Sequence, residues 1–159
     1  MVIERAEPRH LALVRQIVRE TISTVYPRYY PAGAVAFFLE HHSDAAICAD
    51  IEAGSVYLLR DDDAAVGTVT VRGRELSRLF VLPAHQGRGY GRSLLDFAER
   101  QIAEAHDEIV LDASLPAKAI YLKRGYVDVE YHIVPVAAGQ FLCYDVMRKT
   151  LNPKKENSR

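Results

Sequence analysis

The sequence is poor in cysteine. Its two cysteines, Cys48 and Cys143, lie far apart in a chain of 159 residues. Two distant thiols do not form the dense disulfide framework that is typical of small secreted domains. We therefore expect a reduced, cytoplasmic context, in which both cysteines act as small apolar residues rather than as nucleophiles.

Signals for a membrane, a nucleic acid or a metal are missing as well. No run of about twenty apolar residues could span a bilayer, and Met1–Arg5 lacks the apolar core of a signal peptide. The formal net charge is −1, so no global basic charge attracts nucleic acid. None of the six histidines has a spacing that indicates a metal site. We expect no partner of these three kinds.

The chain shows neither internal repeats nor a linker between domains. Its length fits one domain, so we expect a single domain over residues 1–151 and a polar tail over residues 152–159. Apolar periodicity and turn residues predict five helices and seven strands. The predicted helices are 8–24, 32–41, 44–52, 89–105 and 116–124, and the predicted strands are 2–5, 55–60, 66–72, 75–82, 108–113, 126–135 and 140–149.

Connection lengths predict how these strands pair. Short polar turns join the strands from residue 55 to residue 82, which predicts an antiparallel meander. A helix connects strand 75–82 to strand 108–113, so these two strands should lie parallel. The sequence therefore predicts a mixed α/β sheet.

Glycine is concentrated just before the fourth predicted helix. Gly87, Gly89 and Gly91 leave backbone N–H groups uncovered by any Cβ atom. The first N–H groups of a helix are unpaired, and its dipole attracts anions there. Arg88 and Arg92 add positive charge. This strand–loop–helix stretch predicts a phosphate-binding loop.

Two common phosphate loops fit this stretch poorly. A P-loop places Lys-Ser or Lys-Thr after its last glycine, but Arg92-Ser93 follows here. A dinucleotide-binding Gly-x-Gly-x-x-Gly motif would need glycine at position 92, although Asp112 does follow about twenty residues later, as that motif requires. The predicted meander also argues against the βαβ units of a nicotinamide-binding fold.

A third kind of loop fits better. Gln86–Gly91 matches the pattern Gln/Arg-x-x-Gly-x-Gly/Ala, and Leu79–Pro83 before it reads as a central strand. Ala113–Tyr126 supplies small residues followed by Tyr-x-x-x-Gly-aromatic. In this order and spacing, the segments resemble the two signatures of the GCN5-related N-acetyltransferases (GNAT family). The resemblance covers residues 55–149 well and residues 1–54 only in outline.

The resemblance implies a fold and a cosubstrate. The fold is a mixed, mostly antiparallel twisted sheet whose central parallel pair splays apart, with helices on both faces. The cosubstrate is acetyl-CoA, with its diphosphate on the loop amides and its pantetheine arm in the gap between the splayed strands. The Val81 amide would then face the thioester carbonyl as an oxyanion donor. The implied cofactor-binding residues are Phe80, Val81, Gln86, Gly87, Arg88, Gly89, Tyr90, Gly91, Arg92, Ser114 and Tyr121.

The resemblance also suggests catalytic residues. Tyr121 occupies the position of the family's tyrosine and would act as general acid toward the departing thiolate. Packing against the cofactor alone is the alternative for this side chain. Glu75 is the candidate base, because its even spacing from Val81 predicts that both side chains share one face of the strand. Ser77 and Asp145, acting through water, are weaker candidates. Ser114 replaces the asparagine that many members carry.

The acceptor pocket is expected between the first two helices and the last strands. Its wall is predicted to be aromatic, with Tyr26, Tyr29, Tyr30 and Tyr144 as substrate-binding residues. The expected reaction is acetyl transfer to a primary amine of a small molecule or peptide by direct attack in a ternary complex. A catalytically silent acyl-CoA-binding module and a protein N-terminal or lysine acetyltransferase are the alternatives. The resemblance also suggests a homodimer.

Overall fold

The computed structural model describes residues 1–151, and the predicted tail at residues 152–159 lies outside them. Within these residues there are five α-helices: α1 Leu11–Val25, α2 Ala32–His41, α3 Asp44–Glu52, α4 Tyr90–Ala103 and α5 Leu115–Lys123. Seven strands form one sheet: β1 Val2–Arg5, β2 Val56–Asp61, β3 Ala64–Arg72, β4 Glu75–Val81, β5 Glu108–Ala113, β6 Val127–Pro135 and β7 Phe141–Thr150. Predicted and observed bounds agree closely, except that a 3₁₀ turn at Pro8–His10 precedes α1.

The sheet has the predicted mixed topology. Its strand order is β1-β2-β3-β4-β5-β7-β6, and β4 and β5 form its parallel pair. Its other neighbouring strands are antiparallel. None of the helices within residues 1–151 is both long enough and apolar enough to cross a bilayer.

Helices cover both faces of the sheet, because both faces present apolar side chains. One buried cluster joins α4 and α5 to residues such as Leu59, Leu76 and Val81. The other joins α1, α2 and α3 to residues such as Leu58 and Phe80. Neighbours in one strand thus enter opposite clusters, as the alternation of side chains in a strand requires. The predicted fold class is confirmed.

The parallel pair separates almost as soon as it forms. Glu75 of β4 pairs with Val110 of β5, and the Val110 amide donates to the Arg74 carbonyl at 3.0 Å. Within the described residues, this is the one residue pair in register between the two strands. The ends of β4 and β5 therefore lie apart, and the gap between them opens toward Val81.

Strand β4 carries a β-bulge that the sequence did not reveal. Arg78 has a positive φ of 49°, and the register with β3 shifts beside it. The extra residue reverses the side-chain alternation, so Leu76 and Val81, five residues apart, enter the same apolar cluster. The expectation that Glu75 shares a face with Val81 is therefore wrong.

Helix α4 lies directly on the backbone of β3. A Cβ atom at Gly67 would come within 2.9 Å of Leu94 Cδ1 and 3.1 Å of the Phe80 carbonyl oxygen. Gly67 also pairs with Val81, the last residue of β4. The absence of a side chain at this position thus sets how closely α4 approaches the end of β4.

We expect Gly67→Ala to lower the free energy of unfolding by about 1–3 kcal/mol, the usual range for overpacking a tight core. Urea denaturation followed by circular dichroism measures this change. Gly91→Ala is the matched control, because its Cβ would meet Val81 Cγ2 only at 3.9 Å. Equal stability of the two variants would contradict the close packing described for Gly67.

Candidate active site

The glycine-rich loop presents a run of unpaired backbone donors. Gly87 and Gly89 have φ values of 78° and 85°, in the left-handed region that glycine adopts without strain. The first bond of α4 runs from the Ser93 amide to the Gly89 carbonyl at 3.0 Å. Within the described residues, no amide from residue 87 to residue 92 donates a hydrogen bond. Unpaired amides at a helix N-terminus are the donors to which anions bind in proteins.

The space over this loop is open. A Cβ atom at Gly87 or Gly89 would have no neighbour within 4 Å. The adjacent side chains are directed elsewhere, because Gln86 Nε2 donates to the Val81 carbonyl at 3.0 Å and the Tyr90 hydroxyl donates to Asp61. Arg88 is exposed and forms no ion pair with another described residue. The loop can therefore accept a ligand without first expelling its own side chains.

A cavity of about 300 Å³ extends from this loop along the gap between β4 and β5. The predicted cofactor residues Phe80, Val81, Gln86, Gly87, Tyr90, Gly91 and Ser114 line it. Exposed Arg88, Gly89 and Arg92 do not line it. His85 does, with a buried Nδ1 that has no partner within the described residues. No sequence pattern indicated that His85 would line this cavity.

The backbone of Val81 faces this gap. Leu82 donates to the Val66 carbonyl of β3 at 2.9 Å, and residues of an antiparallel pair alternate in the side to which they bond. The backbone N–H and C=O groups of Val81 thus point away from β3. The carbonyl accepts hydrogen bonds from Thr21 Oγ1 at 3.2 Å and from Gln86 Nε2. The Val81 amide points to the same side as this carbonyl.

A second cavity, of about 210 Å³, adjoins the first. The two cavities share a wall made of Tyr26, Leu79, Phe80, Ser114 and Ala117. The second is lined by aromatic residues of α2, α5 and β7, by His42 just after α2, and by polar residues of β4 and β5. These include Phe37, Phe38, His41, Glu75, Ser77, Asp112, Tyr121 and Tyr144. The two cavities are therefore direct neighbours along these shared residues.

Tyr121 lies deep in the second cavity. Its side chain is 5% exposed, and burial, reinforced by nearby Tyr26, raises its pKa well above the usual phenol value. Tyr126 packs edge-on against its ring at 5.4 Å. Within residues 1–151, the Tyr121 hydroxyl has no hydrogen-bond partner, whereas that of Tyr126 donates to Glu99 at 3.0 Å. Tyr121 thus holds a proton beside the cavity.

Two carboxylates face this cavity from the splayed strands. Glu75 accepts a hydrogen bond from Arg72 at 3.2 Å. Burial, and then the charge of Glu75, raises the pKa of Asp112 on β5. Ser77 also lines the cavity, but Asp145 does not, and it accepts from Lys118 Nζ at 2.7 Å. The sequence pattern related Asp112 only to a dinucleotide-binding motif and did not indicate its position in this cavity.

Two of the four tyrosines predicted to bind the acceptor line a cavity, and two do not. Tyr26 and Tyr144 line the second cavity. Tyr29 is 50% exposed and lies outside both cavities. Tyr30 is buried and also lies outside them, because its hydroxyl accepts a hydrogen bond from the Leu115 amide at 2.7 Å at the start of α5. Tyr30 therefore positions a helix, a role that spacing alone does not indicate.

Comparison with models of protein families identifies the family of this chain. A family model described as an acetyltransferase (GNAT) domain matches residues 25–135. A search of curated proteins gave no match. Among solved structures, a GCN5-related N-acetyltransferase from Rhodopseudomonas palustris is 24% identical with a TM-score of 0.83, covering 94% of each chain.

Two further structures share this fold. The PaiA N-acetyltransferase of Thermoplasma acidophilum, solved in complex with coenzyme A, is 18% identical with a TM-score of 0.70, over 94% of this chain and 99% of that one. The ribosomal-protein-S18-alanine N-acetyltransferase of Escherichia coli is 16% identical with a TM-score of 0.72, over 99% of this chain and 98% of that one. Because the family match covers well over half of the sequence, the chain belongs to the GNAT acetyltransferase family.

Proposed function

We propose that this protein transfers the acetyl group of acetyl-CoA to a primary amine of a small molecule or peptide. The observation that carries the proposal is the run of unpaired amides at residues 87–92, which opens into a cavity beside a second, Tyr121-lined cavity. One cavity would take the cosubstrate and the other the acceptor amine. Attack would be direct, within a ternary complex.

The residues present fit acetyl-CoA. Its diphosphate needs several convergent N–H donors and room for phosphate oxygens, and the loop offers both at Gly87 and Gly89. Arg88 and Arg92 would add positive charge near the phosphates, and Ser114, on the shared wall, offers a hydroxyl to the arm of the cosubstrate. When bound, acetyl-CoA supplies an acyl group activated as a thioester.

Two groups of the chain would act on the reacting atoms. The Val81 amide would donate a hydrogen bond to the oxygen that gains negative charge during attack, which is the task of an oxyanion donor. Tyr121 Oη would donate its proton toward the departing sulfur. Because burial raises the pKa of that phenol, it would carry its proton near neutral pH and be ready to donate it.

A carboxylate would remove a proton from the amine. An alkyl ammonium has a pKa near 10.4 and must lose a proton before it attacks. Glu75 is the proposed base, because it lines the acceptor cavity with Tyr121. Asp112 lies beside it and would strengthen the attraction for a cationic amine.

The first experiment is titration calorimetry with coenzyme A, followed by coenzyme A release assays with acetyl-CoA and mixed amines and peptides. We expect binding, and release that depends on the amine. Binding without release would instead support a silent acyl-CoA-binding module. Release only with protein acceptors would support a protein N-terminal or lysine acetyltransferase.

Gly89→Ala should weaken coenzyme A binding at least tenfold, because the new methyl group stands over the amides that would face the diphosphate. Gly139→Ala is the matched control. It has a similar left-handed φ of 66° and open space around it, but it lies in the β6–β7 hairpin. An equal loss of affinity in both variants would mean that strain, not phosphate contact, causes the effect.

Tyr121→Phe should lower kcat by about a hundredfold, which is within the range of general acid catalysis, and should leave the coenzyme A dissociation constant unchanged. Tyr126→Phe removes a neighbouring phenol that bonds Glu99 instead. We expect that variant to lose stability while keeping kcat. Steady-state kinetics with both variants separates the catalytic role from the structural one. An unchanged kcat for Tyr121→Phe would mean that Tyr121 acts by packing alone.

Glu75→Gln should lower kcat/KM for alkylamines at least tenfold. The loss should shrink for weakly basic amines, since these arrive without the extra proton. Glu108→Gln is the control, because Glu108 pairs with Arg74 and lies outside both cavities. A loss that is independent of amine basicity would argue against Glu75 as the base.

A further inference from the structure

A buried polar network lies behind the acceptor cavity. Arg78, 7% exposed, donates from Nη1 to Asp50 Oδ2 at 2.8 Å and to Thr70 Oγ1 at 3.2 Å. Its Nε donates to Nδ1 of His42 at 3.3 Å. The bulge in β4 gives Arg78 this position, because it turns the side chain of Arg78 to the α3 face of the sheet.

This network determines which ring nitrogen of His42 carries the proton. An arginine side chain carries donors and no acceptor, so the imidazole nitrogen that faces it must present a lone pair. Nδ1 of His42 is therefore unprotonated, and the single proton of the neutral ring lies on Nε2.

The surroundings also keep His42 neutral. Burial lowers its pKa to about 3, and the charges of Arg78, His41 and Arg72 act in the same direction. The carboxylates beside these groups are engaged by arginines: Asp50 accepts from Arg78 and from Arg72 Nη1 at 3.3 Å, and Glu75 accepts from Arg72 Nη2 at 3.2 Å. His42 thus stays in one protonation state from pH 5 to pH 8.

The Nε2–H group of His42 has no hydrogen-bond partner in the described part of the chain. Its ring lines the acceptor cavity and packs edge-on against Phe80, with ring centroids 5.7 Å apart. Phe80 belongs to the wall that the two cavities share. A donor that stays protonated therefore lies close to where the acceptor would meet the acyl group.

We propose that His42 Nε2–H donates a hydrogen bond to a neutral oxygen of the acceptor, so that the preferred acceptor is an amine with a nearby amide carbonyl. This inference rests on the proposed function. Arg72 and Arg78 also line the cavity, but carboxylates hold both, Arg72 through Asp50 and Glu75 and Arg78 through Asp50. Asp112 has no ion-pair partner among the described residues, so its charge attracts the ammonium of such a molecule and repels a carboxylate beside it. An amino-acid amide and the N-terminal residue of a peptide share the required chemistry, whereas a free amino acid lacks it.

Nitrogen-15 NMR of the imidazole rings tests the fixed donor without any substrate. We expect His42 to show the Nε2–H form with no titration between pH 5 and pH 8. A proton on Nδ1, or an imidazolium at pH 6, would overturn the inference.

Kinetics test recognition of the carbonyl. We expect His42→Phe to lower kcat/KM about tenfold for phenylalaninamide and for a dipeptide amide that begins with phenylalanine, the loss expected for one hydrogen bond of about 1.4 kcal/mol. The loss for 2-phenylethylamine should be less than about twofold. His42→Gln, which keeps a donor, should retain part of the preference. His106→Phe, outside the cavities, serves as the control.

The outcomes separate this inference from the proposed function. If His42→Phe affects amide and alkylamine equally, or if free phenylalanine is a better substrate than its amide, the role of His42 is overturned while acetyl transfer stands. If the wild-type protein binds no coenzyme A by calorimetry, the proposed function fails. The NMR result then still decides the state of His42.

Discussion

The structure depends on the early separation of β4 from β5. These parallel neighbours meet at Glu75 and Val110 and are not paired beyond that point in the described residues. A sheet that stayed closed would pair the Val81 backbone with β5. Because it opens, Val81 faces a gap, the glycine-rich loop lies at one end of that gap, and Tyr121 lies on its far side. Both cavities are consequences of this divergence.

Close packing fixes the two sides of the gap. Leu94 rests on the bare backbone of Gly67, which holds the start of α4 near the end of β4. On the other side, the Tyr30 hydroxyl holds the Leu115 amide at the start of α5. The loop amides and Tyr121 therefore belong to helices whose starts are held by contacts with other elements, as the proposed binding of two reactants requires.

The sequence predicted the elements of this fold because their signals are local. Helical periodicity, prolines and glycines located the helices, and the Gln86–Gly91 pattern located the loop. The bulge at Arg78 could not be predicted, because it replaces regular alternation with a left-handed residue that is not glycine. That single residue reversed the expected face of Glu75 and brought His42, Asp50 and Arg78 together from three elements. Tyr30 was misplaced for a different reason, since its role comes from a contact 85 residues away along the chain.

The proposed function requires the amides of residues 87–92 to bind a diphosphate. Amide NMR of the isotope-labelled protein tests it most directly, by titration with coenzyme A and, separately, with pantetheine, which lacks the diphosphate. We expect coenzyme A to shift the resonances of these amides strongly and pantetheine to leave them nearly unchanged. Equal shifts with both ligands, or coenzyme A shifts located elsewhere on the sheet, would contradict it.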